Sequence, residues 1–299
     1  MSRVFIGITL YNHEHYIEEC LRSIVSQTFK NFRVVIADDV SRDRSVEVVR
    51  KFIADNPGSN IELVAHPNNL GIAKNVNSLI DCVRDEEFVS LFSGDDIMVP
   101  ERLDTLVKSL EENPDASFVY SDMEWFRSFT GKKIINHFGF LNKPTTNLAD
   151  IICENPIPSP TLMFRASKMK GVRYDERLRF VNDHMFIIEL MSRGESVFVN
   201  KPLVRYRKHR TSASISQSYL QDRIIFLKSI QDKFSEHYPR EVKKYEKLVS
   251  YSNCLELQIN GKKIKSLKYI LQPFPDCLTS IKWLTRLAYM LKGLTNFRI

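Results

Sequence analysis

Glycine is scarce in this chain, with 10 among 299 residues. The first strand-like run leads into Leu10-Tyr11-Asn12-His13-Glu14, a stretch that contains no glycine. Dinucleotide-binding sheets carry a glycine-rich loop at this place, because only glycine lets the backbone approach a pyrophosphate closely. Sugar-nucleotide pyrophosphorylases have a comparable glycine-rich loop, with an arginine, directly after the first strand. The sequence therefore argues against both classes of protein.

Cysteines and long apolar runs are also few. The five cysteines are Cys20, Cys82, Cys153, Cys254 and Cys277, and no two of them form a C-x-x-C pair. This spacing is typical of reduced thiols in a cytosolic protein and argues against a disulfide framework or a zinc site. No uncharged apolar run reaches about 18 residues, so we expect no transmembrane helix. Met1-Ser2-Arg3 leads directly into the first strand-like run, which predicts a cytoplasmic protein without a signal peptide.

Acidic residues are scarce in the last hundred positions. Residues 200–299 contain 20 Lys and Arg against 7 Asp and Glu, whereas residues 1–199 contain 23 against 29. The basic tail therefore favours an anionic partner, either a membrane surface or a polyanion. A nucleic-acid-binding protein is disfavoured, because no recognition module accompanies the positive charge.

Strand-like and helix-like segments alternate through the first half of the chain. The expected strands are 4–9, 32–37, 61–65, 88–92 and 117–121, and the expected helices are 15–27, 45–54, 72–83 and 101–112. Such alternation predicts an α/β fold with a doubly wound, mostly parallel sheet and right-handed crossovers.

The pattern becomes less regular after residue 122. We expect a hairpin over 123–138, a helix over 148–153, a proline-rich loop over 155–160, a strand over 161–165, a helix over 182–193 and short extended pieces at 197–199 and 203–206. From residue 218 onward the pattern is helical and basic. We therefore predict a nucleotide-binding and catalytic domain over 1–212 and a helical C-terminal region over 213–299.

Two acidic pairs follow two of the apolar runs, Asp38-Asp39 after 32–37 and Asp95-Asp96 shortly after 88–92. Open α/β sheets bind ligands at the carboxyl ends of their strands. Adjacent carboxylates repel each other unless solvent, a hydrogen-bond donor or a cation relieves them. The pairs therefore predict a ligand site, although exposed loop acids remain the alternative for either pair alone.

Several short motifs occur in one order along residues 3–210. They are Ile8-Thr9-Leu10-Tyr11-Asn12, residues 20–29, residues 35–43, residues 69–74, Ser93-Gly94-Asp95-Asp96, Asn182-Asp183 and Tyr206-Arg207-Lys208-His209. In this order and spacing they resemble the family-2 glycosyltransferases, whose nucleotide-sugar-binding domain has the GT-A fold. The resemblance implies an inverting transferase of bacterial polysaccharide assembly, with a glycan or lipid-linked acceptor.

The resemblance implies a donor-nucleotide site at the end of the first strand. It assigns this site to Thr9, Tyr11, Asn12, Asp39 and Lys74. A tyrosine ring can stack on a pyrimidine while a carboxylate accepts its ring N–H, so the donor is expected to be a UDP-sugar. A core aromatic is the alternative for Tyr11, and a solvated surface lysine is the alternative for Lys74.

The resemblance also implies a divalent cation, Mn²⁺ or Mg²⁺, bound with the donor diphosphate. It assigns Asp96 and His209 to the metal, Asp95 to the ribose or a supporting role, and Arg207 to the phosphates. Carboxylates together with phosphate oxygens are the usual ligands of such a cation. For Asp95 and Asp96 the alternative is a structural turn, and for His209 it is a histidine without a ligand.

Asp183 matches the catalytic base of the family. An inverting transferase needs one carboxylate to take the proton of the acceptor hydroxyl. Asn182 stands where the family often has a glutamate, and a helix N-cap is the alternative role for Asp183. A catalytically silent sugar-nucleotide-binding module is the alternative for the protein as a whole.

The last helix-like segment, 281–294, carries Lys282 and Arg286 on one face and two aromatic residues, Trp283 and Tyr289. Such a helix is typical of a protein that lies on an anionic membrane surface without crossing it. The sequence therefore predicts a peripheral protein on the inner face of the cell membrane. Packing on the catalytic domain, or on a second subunit in a homo-oligomer, is the alternative.

Overall fold

The computed structural model describes residues 2–128, 133–136, 144–145, 147–153, 155–179, 182–209 and 220–259. Contacts divide the chain into one unit, Met1–Glu246, and a second unit, Lys247–Ile299. The expected C-terminal helix 281–294 lies outside the described residues. Within the described part, no helix has both the length and the apolarity that a membrane crossing requires.

Strands and helices alternate along the first unit. The strands are β1 (Val4–Leu10), β2 (Phe32–Asp38), β3 (Ile61–Ala65), β4 (Phe88–Ser93), β5 (Ile97–Met98), β6 (Ala116–Arg127), β7 (Lys133–Asn136), β8 (Leu162–Arg165) and β9 (Glu195–Lys208). The helices are α1 (Ile17–Val25), α2 (Ser45–Asp55), α3 (Ile72–Asp81), α4 (Arg102–Glu112), α5 (Leu148–Cys153), α6 (Ala166–Met169), α7 (Asn182–Met191), α8 (Leu220–Phe234) and α9 (Pro239–Ile259). A short 3₁₀ turn, Ser159–Thr161, precedes β8.

The strands of the described residues form one sheet in the order β3-β2-β1-β4-β8-β6-β9-β5, and β7 pairs with β6 at the side. The pairs β3–β2, β2–β1, β1–β4 and β6–β9 are parallel, and β8 runs antiparallel to both of its neighbours. The predicted mostly parallel α/β sheet is therefore confirmed.

The main core explains why the first strands read as nearly continuous apolar runs. In β1, Val4, Ile6, Ile8 and Leu10 are fully buried together with Ile17, Leu21 and Ile24 of α1. Strands that are covered on both faces need apolar side chains at nearly every position. At roughly 25 cal/mol per Å² of buried apolar surface, this burial is the main stabilising contribution to the fold.

Three strands differ from the expectation, and one of them is β6, which spans Ala116–Arg127 where a strand over 117–121 was expected. β9 is one strand, Glu195–Lys208, where two short pieces were expected, because it follows β6 in parallel through register shifts near Asp122 and Pro202. β5 has two residues and pairs antiparallel with β9, which is too short a segment for a periodic signal. The helical prediction for the C-terminal region is confirmed by α8 and α9 as far as residue 259.

Candidate active site

The register of the sheet brings both acidic pairs to the carboxyl end of β1. Leu10 lies opposite Asp38 in β2, and Thr9 lies opposite Ser93 in β4. The backbone N–H of Asp39 donates to the Leu10 carbonyl at 2.9 Å, and the N–H of Gly94 donates to the Thr9 carbonyl at 3.0 Å. The end of β1 therefore lies between the two acidic turns, as expected for a ligand site in an open α/β sheet.

Asp39 binds the loop that precedes α3. Its carboxylate accepts the backbone N–H groups of Leu70 at 2.6 Å and Gly71 at 3.0 Å, and its carbonyl accepts the side-chain amide of Asn69 at 2.8 Å. Asp39 is buried. Because each carboxylate oxygen can accept more than one hydrogen bond, this arrangement leaves acceptor capacity for a ligand N–H. Asp38, by contrast, closes its own turn by accepting the N–H and the hydroxyl of Ser41.

The turn after Asp39 adopts an unusual backbone conformation. Val40 has φ +65° and Asn12 has φ +57°, both in the left-handed region. A β-branched residue there costs on the order of 1–3 kcal/mol. Asn12 links the loop after β1 to the loop after β2. Its side-chain oxygen accepts the N–H of Arg42 at 2.7 Å, and its own N–H donates to the hydroxyl of Ser41 at 3.0 Å. Asn12 therefore joins these two loops, and its contact with the donor nucleotide stays a prediction.

Two large apolar side chains are exposed beside Asp39. Tyr11 is 42% exposed and directly follows Leu10, and Ile72 is 45% exposed and directly follows Gly71. Exposed apolar surface next to a buried acceptor is suited to a flat heteroaromatic ring that carries an N–H. Lys74, in the first turn of α3, has its ammonium 3.9 Å from the carboxylate of Glu176.

The second acidic turn brings one carboxylate against two imidazoles. Oδ2 of Asp95 lies 2.9 Å from Nε2 of His209 and 3.9 Å from Nε2 of His13. The other oxygen of Asp95 accepts the hydroxyl of Ser93. Burial alone would raise the pKa of Asp95, but the hydrogen bonds from His209 and Ser93 and the imidazole charges outweigh it and lower the pKa to about 2. Asp95 is therefore held as a carboxylate.

Asp96 differs from its neighbour because it is 1% exposed. Its Oδ1 accepts the backbone N–H of Arg207 at 2.9 Å, and its buried Oδ2 has no hydrogen-bond partner among the described residues. Burial, and after it the charge of Asp95, raises the pKa of Asp96 well above its usual value.

Arg207 holds the acidic turn against the end of β9. Its Nε donates to the Asp95 carbonyl at 2.7 Å, its Nη2 donates to the Glu19 carboxylate, and its guanidinium lies over the rings of Tyr16 and Phe126 at 4.9 and 4.6 Å. Arg207 is 5% exposed. These contacts fix the guanidinium beside the acidic turn, and its contact with the donor phosphates stays a prediction.

The residues around Asp95 fit a divalent cation. One carboxylate oxygen and one imidazole nitrogen lie 2.9 Å apart, and Oδ2 of Asp96, in the next residue, is buried with no hydrogen-bond partner in the described part of the chain. Carboxylate and phosphate oxygens suit both Mn²⁺ and Mg²⁺, and an imidazole nitrogen favours the softer of the two, Mn²⁺. No group of three or more His, Cys, Asp or Glu side chains in the described ranges forms a complete metal site. Asp96 and His209 were both assigned to the metal, and that assignment stays a prediction; in the structure His209 lies against Asp95, and Oδ1 of Asp96 accepts the backbone N–H of Arg207.

Asp183 lies in the first turn of α7, where its Oδ2 accepts the hydroxyl of Ser159. Burial raises the pKa of Asp183, and the hydrogen bonds from Ser159 and from the backbone at the start of the helix lower it only in part. Ser159 begins the 3₁₀ turn before β8, and the antiparallel pairing of β8 with β4 directs that turn toward the carboxyl end of β4. Asp183 is therefore connected to the same edge of the sheet as the acidic turns.

Sequence reasoning did not identify Ser159, His13 or Glu19 as parts of the site. Each of them contacts a site residue that is distant along the chain, with 24 positions between Ser159 and Asp183 and 188 between Glu19 and Arg207. The one available signal was that Ser159 lies between two prolines, Pro158 and Pro160, which predicts a rigid turn.

A family model for glycosyl transferase family 2 matches residues 5–170. The chain belongs to this family. A glycosyltransferase of Haemophilus influenzae, described as uncharacterized, is 24% identical to it over 280 residues, which are 90% of this chain and 84% of the relative. The resemblance noted from the motifs is thus confirmed, and the protein is a family-2 glycosyltransferase.

Solved structures are similar in fold to this family-2 glycosyltransferase. The S. aureus TarS fragment 1–349 in complex with UDP-GlcNAc has a TM-score of 0.64 and 19% identity, over 86% of this chain and 73% of that chain. The mannosyltransferase PcManGT from Pyrobaculum calidifontis, in complex with GDP-Man and Mn²⁺, has a TM-score of 0.62 and 16% identity, over 90% and 77% of the two chains. At this level of identity the similarity establishes the GT-A fold.

Proposed function

We propose that this family-2 glycosyltransferase transfers a sugar, with inversion, from a UDP-sugar to a hydroxyl group of a glycan or a lipid-linked acceptor. The observation that carries the proposal is the carboxylate of Asp95 beside the imidazole of His209, at the carboxyl end of β4 and next to the turn that bears Asp39. The two similar structures contain a UDP-sugar and a GDP-sugar with Mn²⁺, which supports a nucleotide-sugar donor and a divalent cation.

The nucleotide base is proposed to lie over the exposed ring of Tyr11, with its ring N–H directed at Asp39. The two backbone donors on Asp39 hold the carboxylate in place, so it can accept from the N–H of a uracil. Thr9, near the end of β1, and Asn12, in the loop that follows β1, are proposed to complete this site. Lys74 is proposed to turn from Glu176 to the donor when the nucleotide binds.

Asp95 and His209 are proposed to hold the cation, in place of the expected pair Asp96 and His209. When bound, such a cation stabilises the negative charge that develops on the leaving nucleoside diphosphate. Asp96 and Arg207 act on the turn itself, because the carboxylate of Asp96 binds the backbone of Arg207 and the guanidinium binds the carbonyl of Asp95. This pair of contacts orients Asp95 toward His209.

Asp183 is proposed to be the general base that takes the proton of the acceptor hydroxyl. Its raised pKa suits this role, because a base works best when its pKa approaches the working pH. The hydroxyl of Ser159 binds Oδ2, and backbone N–H groups at the start of α7 also bind the carboxylate, whose Oδ1 is proposed to accept the proton.

The proposals for the acceptor and for the membrane contact are based on the positive charge of the C-terminal region. The basic region 200–299 would bring the enzyme to an anionic membrane surface, where a lipid-linked acceptor is present. Deletion of residues 276–299 should then release the protein from anionic vesicles in a sedimentation assay. Unchanged partitioning would argue instead for a contact with a second subunit.

The transfer reaction is tested with Asp183→Asn. Thermal stabilisation by UDP-sugars and GDP-sugars with Mn²⁺ first identifies the donor, since a ligand of the native state raises the melting temperature. Single-turnover transfer to a panel of glycoside acceptors should then fall by about 10²–10⁴-fold in the variant. Stabilisation by the donor should be unchanged, and Asp85→Asn, at an exposed position, is the control. Wild-type turnover in Asp183→Asn would exclude the base role, and donor binding without any turnover would indicate a silent binding module.

A further inference from the structure

Arg102, the first residue of α4, is a completely buried arginine. Its contacts are with uncharged groups: the hydroxyl of Ser90 at 3.0 Å, the carbonyls of Pro160 at 3.1 Å and Leu162 at 3.0 Å, and the sulfur of Met98 at 3.7 Å. It forms no ion pair with an acid within the described ranges. Burial lowers the pKa of its guanidinium to about 9. A buried charge without a counterion is costly, and an apolar side chain of similar volume would often serve stability as well.

The groups that Arg102 holds belong to three different segments. Ser90 lies in the middle of β4, Pro160 lies in the 3₁₀ turn, and Leu162 begins β8. The turn is closed further by Thr161, whose N–H and hydroxyl both donate to the Pro158 carbonyl, at 3.0 and 2.7 Å. The guanidinium therefore fixes the turn against the strand that leads to the acidic pair Asp95-Asp96.

The same turn carries the hydroxyl that binds the base. Ser159 donates to Oδ2 of Asp183, and in the described part of the chain it is the side-chain donor that reaches this carboxylate. The neighbouring Asn182 gives no such support, since both polar atoms of its buried amide are without described partners. His184 is engaged elsewhere, with its Nε2 2.5 Å from the Ile151 carbonyl and its ring stacked on Phe226. Among the described residues Tyr174 is a further titratable group near Asp183, and burial together with the charge of Asp183 raises its pKa.

We propose that Ser159 is a positioning residue for Asp183, and that the buried guanidinium of Arg102 keeps Ser159 in place by holding the carbonyls of Pro160 and Leu162. This inference rests on the proposed role of Asp183 as the base. The hydroxyl binds one oxygen of the carboxylate and thereby orients the other toward the acceptor. A hydrogen bond to a carboxylate also stabilises its charged form, so its loss raises the pKa of the acid.

The test compares Ser159→Ala with Ser159→Thr, which keeps a hydroxyl, and with Ser196→Ala, which removes a buried hydroxyl that has no described partner. In the transfer assay, Ser159→Ala should lower kcat by about tenfold with an unchanged KM for the donor, since hydrogen bonds to charged groups have this order of strength. The acid limb of the pH profile should move to higher pH. Ser159→Thr should recover part of both effects, and Ser196→Ala should show neither.

Arg102→Lys tests whether Arg102 keeps Ser159 in place. The lysine retains the positive charge but loses the planar set of N–H donors that a guanidinium has. It should lower kcat and move the acid limb in the same direction as Ser159→Ala. Arg165→Lys is the matched control, because the hydrogen bonds of Arg165 in the described ranges also go to backbone carbonyls, those of Leu110, Asn113 and Ala116. It should reduce the melting temperature without moving the pH profile.

A second readout does not depend on transferase activity. Titration of ¹³Cγ-labelled aspartate by NMR, with Asp183→Asn for assignment, should show a higher pKa for Asp183 in Ser159→Ala than in the wild type. An unchanged titration curve, or an unchanged kcat and pH profile while Asp183→Asn is inactive, would overturn the positioning role. If no transfer occurs with any donor, the proposed function fails, and the titration still decides whether Ser159 controls Asp183.

Discussion

Replacement of Asp39 by asparagine should destabilise the protein even when no nucleotide is present. The carboxylate accepts two backbone N–H groups from the loop before α3, at 2.6 and 3.0 Å, in a buried position. An asparagine side chain has only one acceptor oxygen. Its NH₂ group would therefore face a second N–H donor, and one partly buried backbone amide, of Leu70 or Gly71, would lose its partner.

The size of this effect follows from the two hydrogen bonds. A hydrogen bond to a charged group contributes about 1.5–3 kcal/mol, and an unsatisfied buried donor costs about 1–3 kcal/mol. We therefore expect the free energy of unfolding to fall by about 2–3 kcal/mol, which lowers the melting temperature by about 5–10 °C in a unit of this size.

Urea unfolding of the ligand-free protein at pH 7, followed by circular dichroism, measures this loss. The control is Asp85→Asn, which makes the same chemical change at an exposed position and should alter stability by less than about 0.5 kcal/mol. If Asp39→Asn is as stable as the control, the carboxylate does not hold the loop. Its position would then have to be explained by nucleotide binding alone.

Three further predictions concern the metal, the stability at low pH and the nucleotide base. Asp95→Asn should abolish the effect of Mn²⁺ on UDP binding in calorimetry, whereas Asp96→Asn should retain that effect, because an asparagine oxygen can still accept the N–H of Arg207; the opposite result would return the metal to Asp96. Burial alone would raise the pKa of Glu86, but hydrogen bonds from Arg33 and the backbone outweigh it and lower the pKa. Glu86→Gln should therefore reduce stability to urea above about pH 4.5, and the difference from wild type should shrink as the pH falls through the lowered pKa. Tyr11→Ala should weaken UDP binding by about tenfold with unchanged stability, because the ring is 42% exposed; equal affinity would exclude stacking.

The direction in which pH changes the stability difference between Glu86→Gln and wild type follows from the pKa of Glu86. Its pKa is lower in the folded than in the unfolded protein, so the unfolded chain binds the proton more readily. The stabilisation is complete above the unfolded value and disappears as the acid is protonated in the folded state. A difference between Glu86→Gln and wild type that grows toward low pH would contradict the contact with Arg33.

Local patterns were sufficient for most of the fold. Strands β1, β2 and β4 are covered on both faces, so nearly every residue in them is apolar, and the polar residues after them mark where they end. The positions of Asp39 and Asp95 at one edge of the sheet follow from the same pattern, since the ends of parallel strands meet there. The sequence alone was less informative for β9, because Asn200 and Lys201 are polar and exposed within a continuous strand.

The amino-acid sequence by itself thus determined the strands, the helices, the family and the carboxylates from which the site is built. The tertiary structure alone decided which of these groups meet: His209 with Asp95, Ser159 with Asp183, and Arg102 with the turn before β8. Periodicity and turn propensity are local properties of a few neighbouring residues. Contacts between side chains separated by 24 to 114 positions depend on strand order, register and the burial of each group, and these arise only when the sheet has assembled.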